Sequence, residues 1–212
     1  MKSTVAVKVW GDFACFTRPE MKVERVSYDV MTPSAARGIL EAILWKPAIQ
    51  YRVKSIHVLK PIHWIQFRRN EVGNKILPRN VISAMEQSKG KLGIFIEEER
   101  QQRAGLFLRN VAYIIHADIC MTDKAGKLDN LDKFRDMFKR RVERGQCHHQ
   151  PVLGCREFTA FFGPPAENET PLSESKDLGW MLNDLDFSDT TNIQPRFFRA
   201  EMKNGIVEVP AP

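Results

Sequence analysis

Few residues in this chain can move a proton near neutral pH, and their neighbours sort them. Of five histidines, His148 and His149 lie in a polar stretch, GQCHHQP, between Gly145 and Pro151. His57, His63 and His116 fall in alternating runs that read as strands, where a structural role is the simpler reading. An imidazole has a reference pKa of ~6.5 and is suited to acid–base work, whereas the phenols of Tyr28 and Tyr51, at ~10, need strong activation. His149 and His148 are therefore the candidate general acid and base. For His149 a structural role stays equally open, and His148 also fits an exposed loop residue. Cys147, His148, His149 and Cys155 cluster, but neither the Cys–Cys nor the His–His spacing fits the usual zinc pairs. We expect no metal site and no cofactor.

The basic residues point to a polyanion. Net charge is +6 over 212 residues, but it is uneven. Residues 1–160 hold 28 Lys and Arg against 17 Asp and Glu, a net of +11, while 161–212 hold four against nine, a net of −5. A solvated surface alone can carry a modest excess, yet a basic body with an acidic tail fits a nucleic-acid partner better. Candidate phosphate contacts are Lys22 and Arg25 in an early loop, the Arg68-Arg69 pair, Arg140 and Arg141, and Arg156. Lys133 and Arg140, seven apart, share one helical face. There is no GxxxxGK[ST] loop, no GxGxxG and no nucleophile elbow, so nucleotide hydrolysis and serine-hydrolase chemistry have no seat.

The elements that must position these groups are legible in part. Thr4–Trp10 alternates as a strand. Thr32-Pro33 opens a helix whose apolar face is Ala36, Ile39, Leu40, Ile43 and Leu44, ended by Pro47. Residues 49–60, 62–69 and 104–121 read as strands. Asn130 caps a second helix with Leu131, Phe134, Phe138 and Val142 on one face and Gly145 as its stop. Residues 156–162 read as a further strand. The charged run 97–103 reads as a solvated edge or loop. Residues 163–177 form a polar, proline-rich break, followed by a hairpin turning at Asn204-Gly205. The order β-α-β-β-α-β predicts an α+β, ferredoxin-like antiparallel sheet with two helices over residues 1–163. A small C-terminal β-sheet is expected over 164–212. Such a platform commonly holds single-stranded RNA. No apolar run approaches the ~20 residues of a membrane span. The N-terminus soon meets Asp12 instead of continuing as a signal peptide, and four cysteines fit reduced thiols. A cytoplasmic protein without a membrane partner is expected.

Several stretches carry a more specific resemblance: KVWGDFACFT (8–17), KVERVSYDV (22–30), MTPSAARGILEAI (31–43) and WKP (45–47), then RRNEV (68–72), GQCHHQP (145–151) and LGCREF (153–158). Together they resemble the Cas family-five subunit of subtype I-C (Dvulg) CRISPR systems. The resemblance implies a RAMP-type endoribonuclease that cuts precursor CRISPR RNA in its repeat hairpin without a metal and keeps the 5′ handle in the effector complex. Precursor and mature CRISPR RNA and other effector subunits are then the expected partners. A general double-stranded nucleic-acid binder also fits the charge, which keeps double-stranded DNA as a further partner, but it leaves these motifs unused. Family members can carry Tyr before Trp-Lys-Pro and a Lys-His pair opening the second helix. Here Leu44 and Phe134 occupy the Tyr and His positions, and Lys133 alone is carried over, as a stabiliser of the charged phosphorane. The alternative is a non-catalytic RNA-binding subunit of the same complex.

Overall fold

The computed structural model describes residues 3–88, 92–187, 189 and 191–210. In chain order the elements are β1 (Ser3–Ala14), α1 (Pro33–Ile43), β2 (Ile49–Val58), β3 (His63–Val72), α2 (Pro78–Gln87), α3 (Ile96–Glu99) and β4 (Arg100–Met121). They continue with α4 (Leu131–Glu143), β5 (Phe161–Gly163), β6 (Lys176–Asp186), β7 (Gln194–Lys203) and β8 (Ile206–Glu208). All strands belong to one antiparallel sheet, ordered β5-β1-β4-β2-β8-β7-β6, with β3 paired to β4 off that path.

The 22-residue β4 is the spine. Its second half lies between β1 (Val7↔Ile115) and β2 (Ile56↔Ile115), and its first half pairs with β3 (Arg69↔Arg103). Val5, Val7 and Val9 of β1 all point inward, as their period-two spacing requires, and join Ile115, Ala117 and Ile119 of β4. The apolar faces of α1 (Ala36, Ile39, Leu40, Ile43) and α4 (Phe134, Phe138, Val142) are buried in the same core. Side chains of this size contribute ~1.5–3 kcal/mol each when fully buried. Both helix starts are capped as their sequences predict. The Thr32 hydroxyl accepts from the Ala35 N–H at 3.3 Å, and the Asn130 side-chain oxygen from the Lys133 N–H at 2.8 Å.

Two expectations need correction. The strand expected over 156–162 reduces to Phe161–Gly163, because Gly154 takes a left-handed φ of +86° and the Phe158 N–H closes a turn onto the Cys155 carbonyl. The charged run 97–103 is a solvated edge, as expected, and not a loop: Glu97–Glu99 lie in the single turn of α3, and Arg100–Arg103 pair with β3 alone. The C-terminal strands do not make a sheet of their own. β8 pairs with β2 (Ile56↔Val207), so the β6-β7-β8 hairpins extend the first sheet. The turn joining β7 to β8 is as expected, with Asn204 and Gly205 at φ +48° and +72°. Among the described residues, no helix is long and apolar enough to cross a membrane.

Candidate nucleic-acid interface and active site

Helix α4 carries candidate residues at both ends and keeps them apart. Lys133 stands in its first turn and His148 and His149 follow its C-terminus. The helical residues from Lys133 to Glu143 rise ~15 Å, which sets the Lys133 backbone and the two histidines at opposite ends of the helix. The segment Ala42–Lys46 runs beside the helix and marks the two ends. At the C-terminal end, the His148 and His149 N–H groups both donate to the Ala42 carbonyl, at 2.7 and 3.2 Å. At the N-terminal end, Lys133 Nζ is 2.9 Å from Asp129. That hydrogen bond first, then the Gly126 N–H and the nearby charges of Lys133 and Lys46, hold the Asp129 carboxyl below its ordinary range. Lys46 is thus a second cation at that end, silent in the sequence because only the fold brings residues 46, 129 and 133 together.

The residues between the two ends have no proton to give. Leu44 is fully buried and Phe134 is 3% exposed. The Tyr51 hydroxyl donates to the Leu44 carbonyl at 2.8 Å, and its phenol is pushed up by burial, then by Glu41. Tyr28 is buried with Arg18 over its ring at 4.5 Å, and its phenol is likewise raised, first by burial. Neither tyrosine is placed for acid–base work. His57 and His116 pack ring to ring at 4.3 Å within the sheet. His63, expected to be structural, is exposed and lines a separate cleft with Trp64 and Arg109.

His149 lines a better-formed cleft of about 790 Å³. One wall is the first turns of α1, with Thr32, Ser34 and Gly38. Across from it are Thr17 and Arg156. The N-terminal end of α1 directs its positive dipole here. His148 and His149 are both exposed, with ring centroids 5.6 Å apart. The His149 imidazole, an exposed guanidinium, hydroxyls and a helix N-terminus together suit a phosphodiester. The motifs at 15–17, 31–43 and 145–158, distant in sequence, converge on this cleft.

The candidate phosphate contacts divide by pairing. Lys22, Arg68, Arg140 and Arg156 are exposed, and no ion pair engages them among the described residues. Arg25 and Arg69 are already engaged. Arg69 lies 2.7 Å from Glu157 and 3.2 Å from Glu71, and Arg25 lies 3.1 and 3.6 Å from the same two carboxylates, with Arg103 also on Glu71. Partial burial raises the Glu157 carboxyl, but its own N–H, Arg25 and Arg69 outweigh that and hold it low. Arg141 donates to the Ile43 carbonyl at 2.6 Å, fastening α4 to the end of α1. These three arginines act first as internal ties.

This open antiparallel sheet, with two helices packed on it and a cleft fed by loops, is an α+β architecture. The chain belongs to the Cas5d family, described as CRISPR-associated protein (Cas_Cas5), which it matches over residues 4–210. It is 53% identical over 218 residues to a protein of Mannheimia succiniciproducens named CRISPR pre-crRNA endoribonuclease Cas5d, covering 99% of this chain and 96% of the relative. A protein of the same name from Thermus thermophilus is 44% identical over 222 residues, covering 97% and 90%. Among solved structures, a CRISPR-associated protein superposes with a TM-score of 0.71 at 22% identity, covering 99% of this chain and 92% of its own. A chain of a CRISPR RNA-guided surveillance complex gives 0.51 at 12% identity, covering 99% and 92%.

Proposed function

We propose that this chain is a pre-crRNA endoribonuclease that cuts the repeat hairpin without a metal and then remains on the 5′ handle among the other effector subunits. The observation that carries the endoribonuclease reading is 53% and 44% identity, over nearly the whole chain, to proteins named CRISPR pre-crRNA endoribonuclease. Residues 1–163 are the RNA-binding and catalytic part, and the order β5-β1-β4-β2 with α1 and α4 between strands supports a ferredoxin-like reading of it. Precursor and mature CRISPR RNA are its ligands. Double-stranded DNA is a further one that the basic body accommodates. A cytoplasmic setting suits all of these partners.

RNA supplies its own nucleophile, so the protein has to move protons and stabilise charge. His149 takes the 2′-hydroxyl proton, and the oxygen attacks the adjacent phosphorus in line. His148 returns a proton to the departing 5′-oxygen, leaving a 2′,3′-cyclic phosphate. Arg156 and the N-terminal end of α1 face the phosphorane. Preorganised charge of this kind is typically worth ~3–4 kcal/mol in the transition state. Lys133, at the far end of α4, contacts the RNA backbone. A second reading places the cut beside Lys133, favoured by the approach of Lys46 and Lys133 to Asp129.

Single-turnover cleavage of the cognate repeat in EDTA tests this. The wild type should cut in EDTA and fail when the nucleotide 5′ of the cut is 2′-deoxy. His149→Ala should slow cutting by ~10²–10⁴, with Lys133→Ala affecting binding more than rate. The reverse pattern moves the site to Lys133. A wild type that binds the repeat and never cuts it is the non-catalytic subunit.

A further inference from the structure

The turn that carries Arg156 also holds Cys155, whose thiol is surrounded by polar groups. Arg25 Nη1 donates to its sulfur from 3.4 Å, the Thr17 hydroxyl is 3.8 Å away and the Cys15 carbonyl oxygen 3.6 Å. The same Thr17 hydroxyl is 3.4 Å from the Cys15 sulfur, so one hydroxyl bridges both thiols. The backbones are equally close. The Cys15 N–H donates to the Leu153 carbonyl at 3.0 Å, and a Cβ placed on Gly154 would lie 2.1 Å from the Cys15 carbonyl oxygen. Only glycine fits there, and its φ of +86° brings Cys155 down onto the end of β1.

The two thiols differ in access and in chemistry. Cys15 is fully buried, whereas Cys155 is partly exposed and is flanked by Gly154 and Arg156, which line the cleft. A small reagent meets Cys155 first. The hydrogen bond with the Cys15 thiol favours the Cys155 thiolate. Burial opposes it, and Thr17 and Arg25 support it.

We propose that Cys15 and Cys155 form a redox-active pair in which Cys155 exchanges with low-molecular-weight disulfides such as glutathione disulfide and Cys15 resolves the product. The Cys155 thiolate attacks one sulfur of the small disulfide. A sulfur–sulfur bond forms, and the other half leaves as its thiol after taking up a proton. Cys15 then loses its proton to solvent and attacks the Cys155 sulfur. The second small thiol is expelled and a Cys15–Cys155 disulfide remains. In sum, two cysteine thiols give up two electrons and one small disulfide becomes two thiols. Arg25 loses its thiolate partner in this state and keeps only Glu157 and Glu71. The inference is independent of whether the chain cuts RNA.

The test is to incubate the full chain with glutathione disulfide, trap remaining thiols by alkylation and map the peptides by mass spectrometry without reduction. The expected product is a Cys15–Cys155 cross-link that dithiothreitol reverses. Cys15→Ser should accumulate glutathione on Cys155, and Cys155→Ser should leave Cys15 alkylated only after unfolding. The wild-type mapping stands even if a variant fails to fold. Glutathione confined to Cys120 or Cys147, a cross-link to either of them, or no change in the Cys15 and Cys155 peptides overturns the proposal.

Discussion

Pairing separates the arginines, and the salt dependence of RNA binding should report the separation. Arg68 and Arg140 are exposed without ion pairs among the described residues, while Arg25 and Arg69 share Glu71 and Glu157. Removing one arginine–phosphate interaction reduces the log–log salt slope by roughly 0.7–0.9, so Arg68→Ala with Arg140→Ala should flatten it by ~1.4–1.8. Over a fourfold rise in salt that is a ~7- to 12-fold smaller loss of affinity than the wild type shows. Arg25→Ala with Arg69→Ala should leave the slope nearly unchanged. That pair should instead lower stability by ~1–2 kcal/mol, since partly exposed ion pairs are worth ~0–1 each and Arg69 also covers the Phe107 ring at 5.1 Å. Fluorescence anisotropy with the repeat RNA from about 50 to 200 mM salt, alongside urea melts, reads both quantities. An unchanged slope for the first pair, or a large change for the second with stability intact, would refute the division.

The other expectations concern stability. Phe134→Ala should cost ~3–5 kcal/mol in urea denaturation, because a ring 3% exposed leaves a cavity. A loss below ~1 kcal/mol would mean the helix face is not packed as described. Gly154→Ala should destabilise by more than ~1–3 kcal/mol, the strain of its positive φ plus the clash with the Cys15 carbonyl. A melting temperature equal to wild type would contradict that clash. Burial holds the His57 imidazole below its ordinary range, and burial followed by the neighbouring His57 does so for His116. The unfolded chain therefore binds more protons than the fold once pH falls through ~6.5, and stability should decline from there downward while staying flat just above. Replacing both rings with Phe should flatten that limb of a melting-temperature profile.

Much of the fold was legible because it rests on local rules. Thr32 and Asn130 announce their helices by capping chemistry, Asn204-Gly205 announces its turn, and Val5, Val7 and Val9 alternate as a one-sided strand must. β6 gives no such signal because its pairing with β7 is broken at Asp177/Gly179 and Leu182/Asp184 and Gly179 takes a positive φ, so no clean alternation survives. The candidate site was legible as a set of residues and not as an arrangement. Arg25 and Glu157 are 132 residues apart in the chain, and no spacing rule tells that one neutralises the other. The distance between Lys133 and His149 was implicit in the helix length, while the union of His149 with α1 depends on the Ala42 carbonyl.

The pairing of β8 with β2 has a consequence for solubility. One margin of β2 is satisfied by β4, and the other is met by Ser55↔Glu208, Ile56↔Val207 and His57↔Ile206, with Val58 tied on to Gly205 and Leu172 and Lys54 to Val209. Were the chain cut near Gly163, that margin would present a row of unpaired amides and carbonyls on a strand with one buried face, a template for edge-to-edge aggregation. The acidic tail thus works as a guard rail. It closes that margin of β2 with β8, so like copies find no free amides and carbonyls there to zip onto.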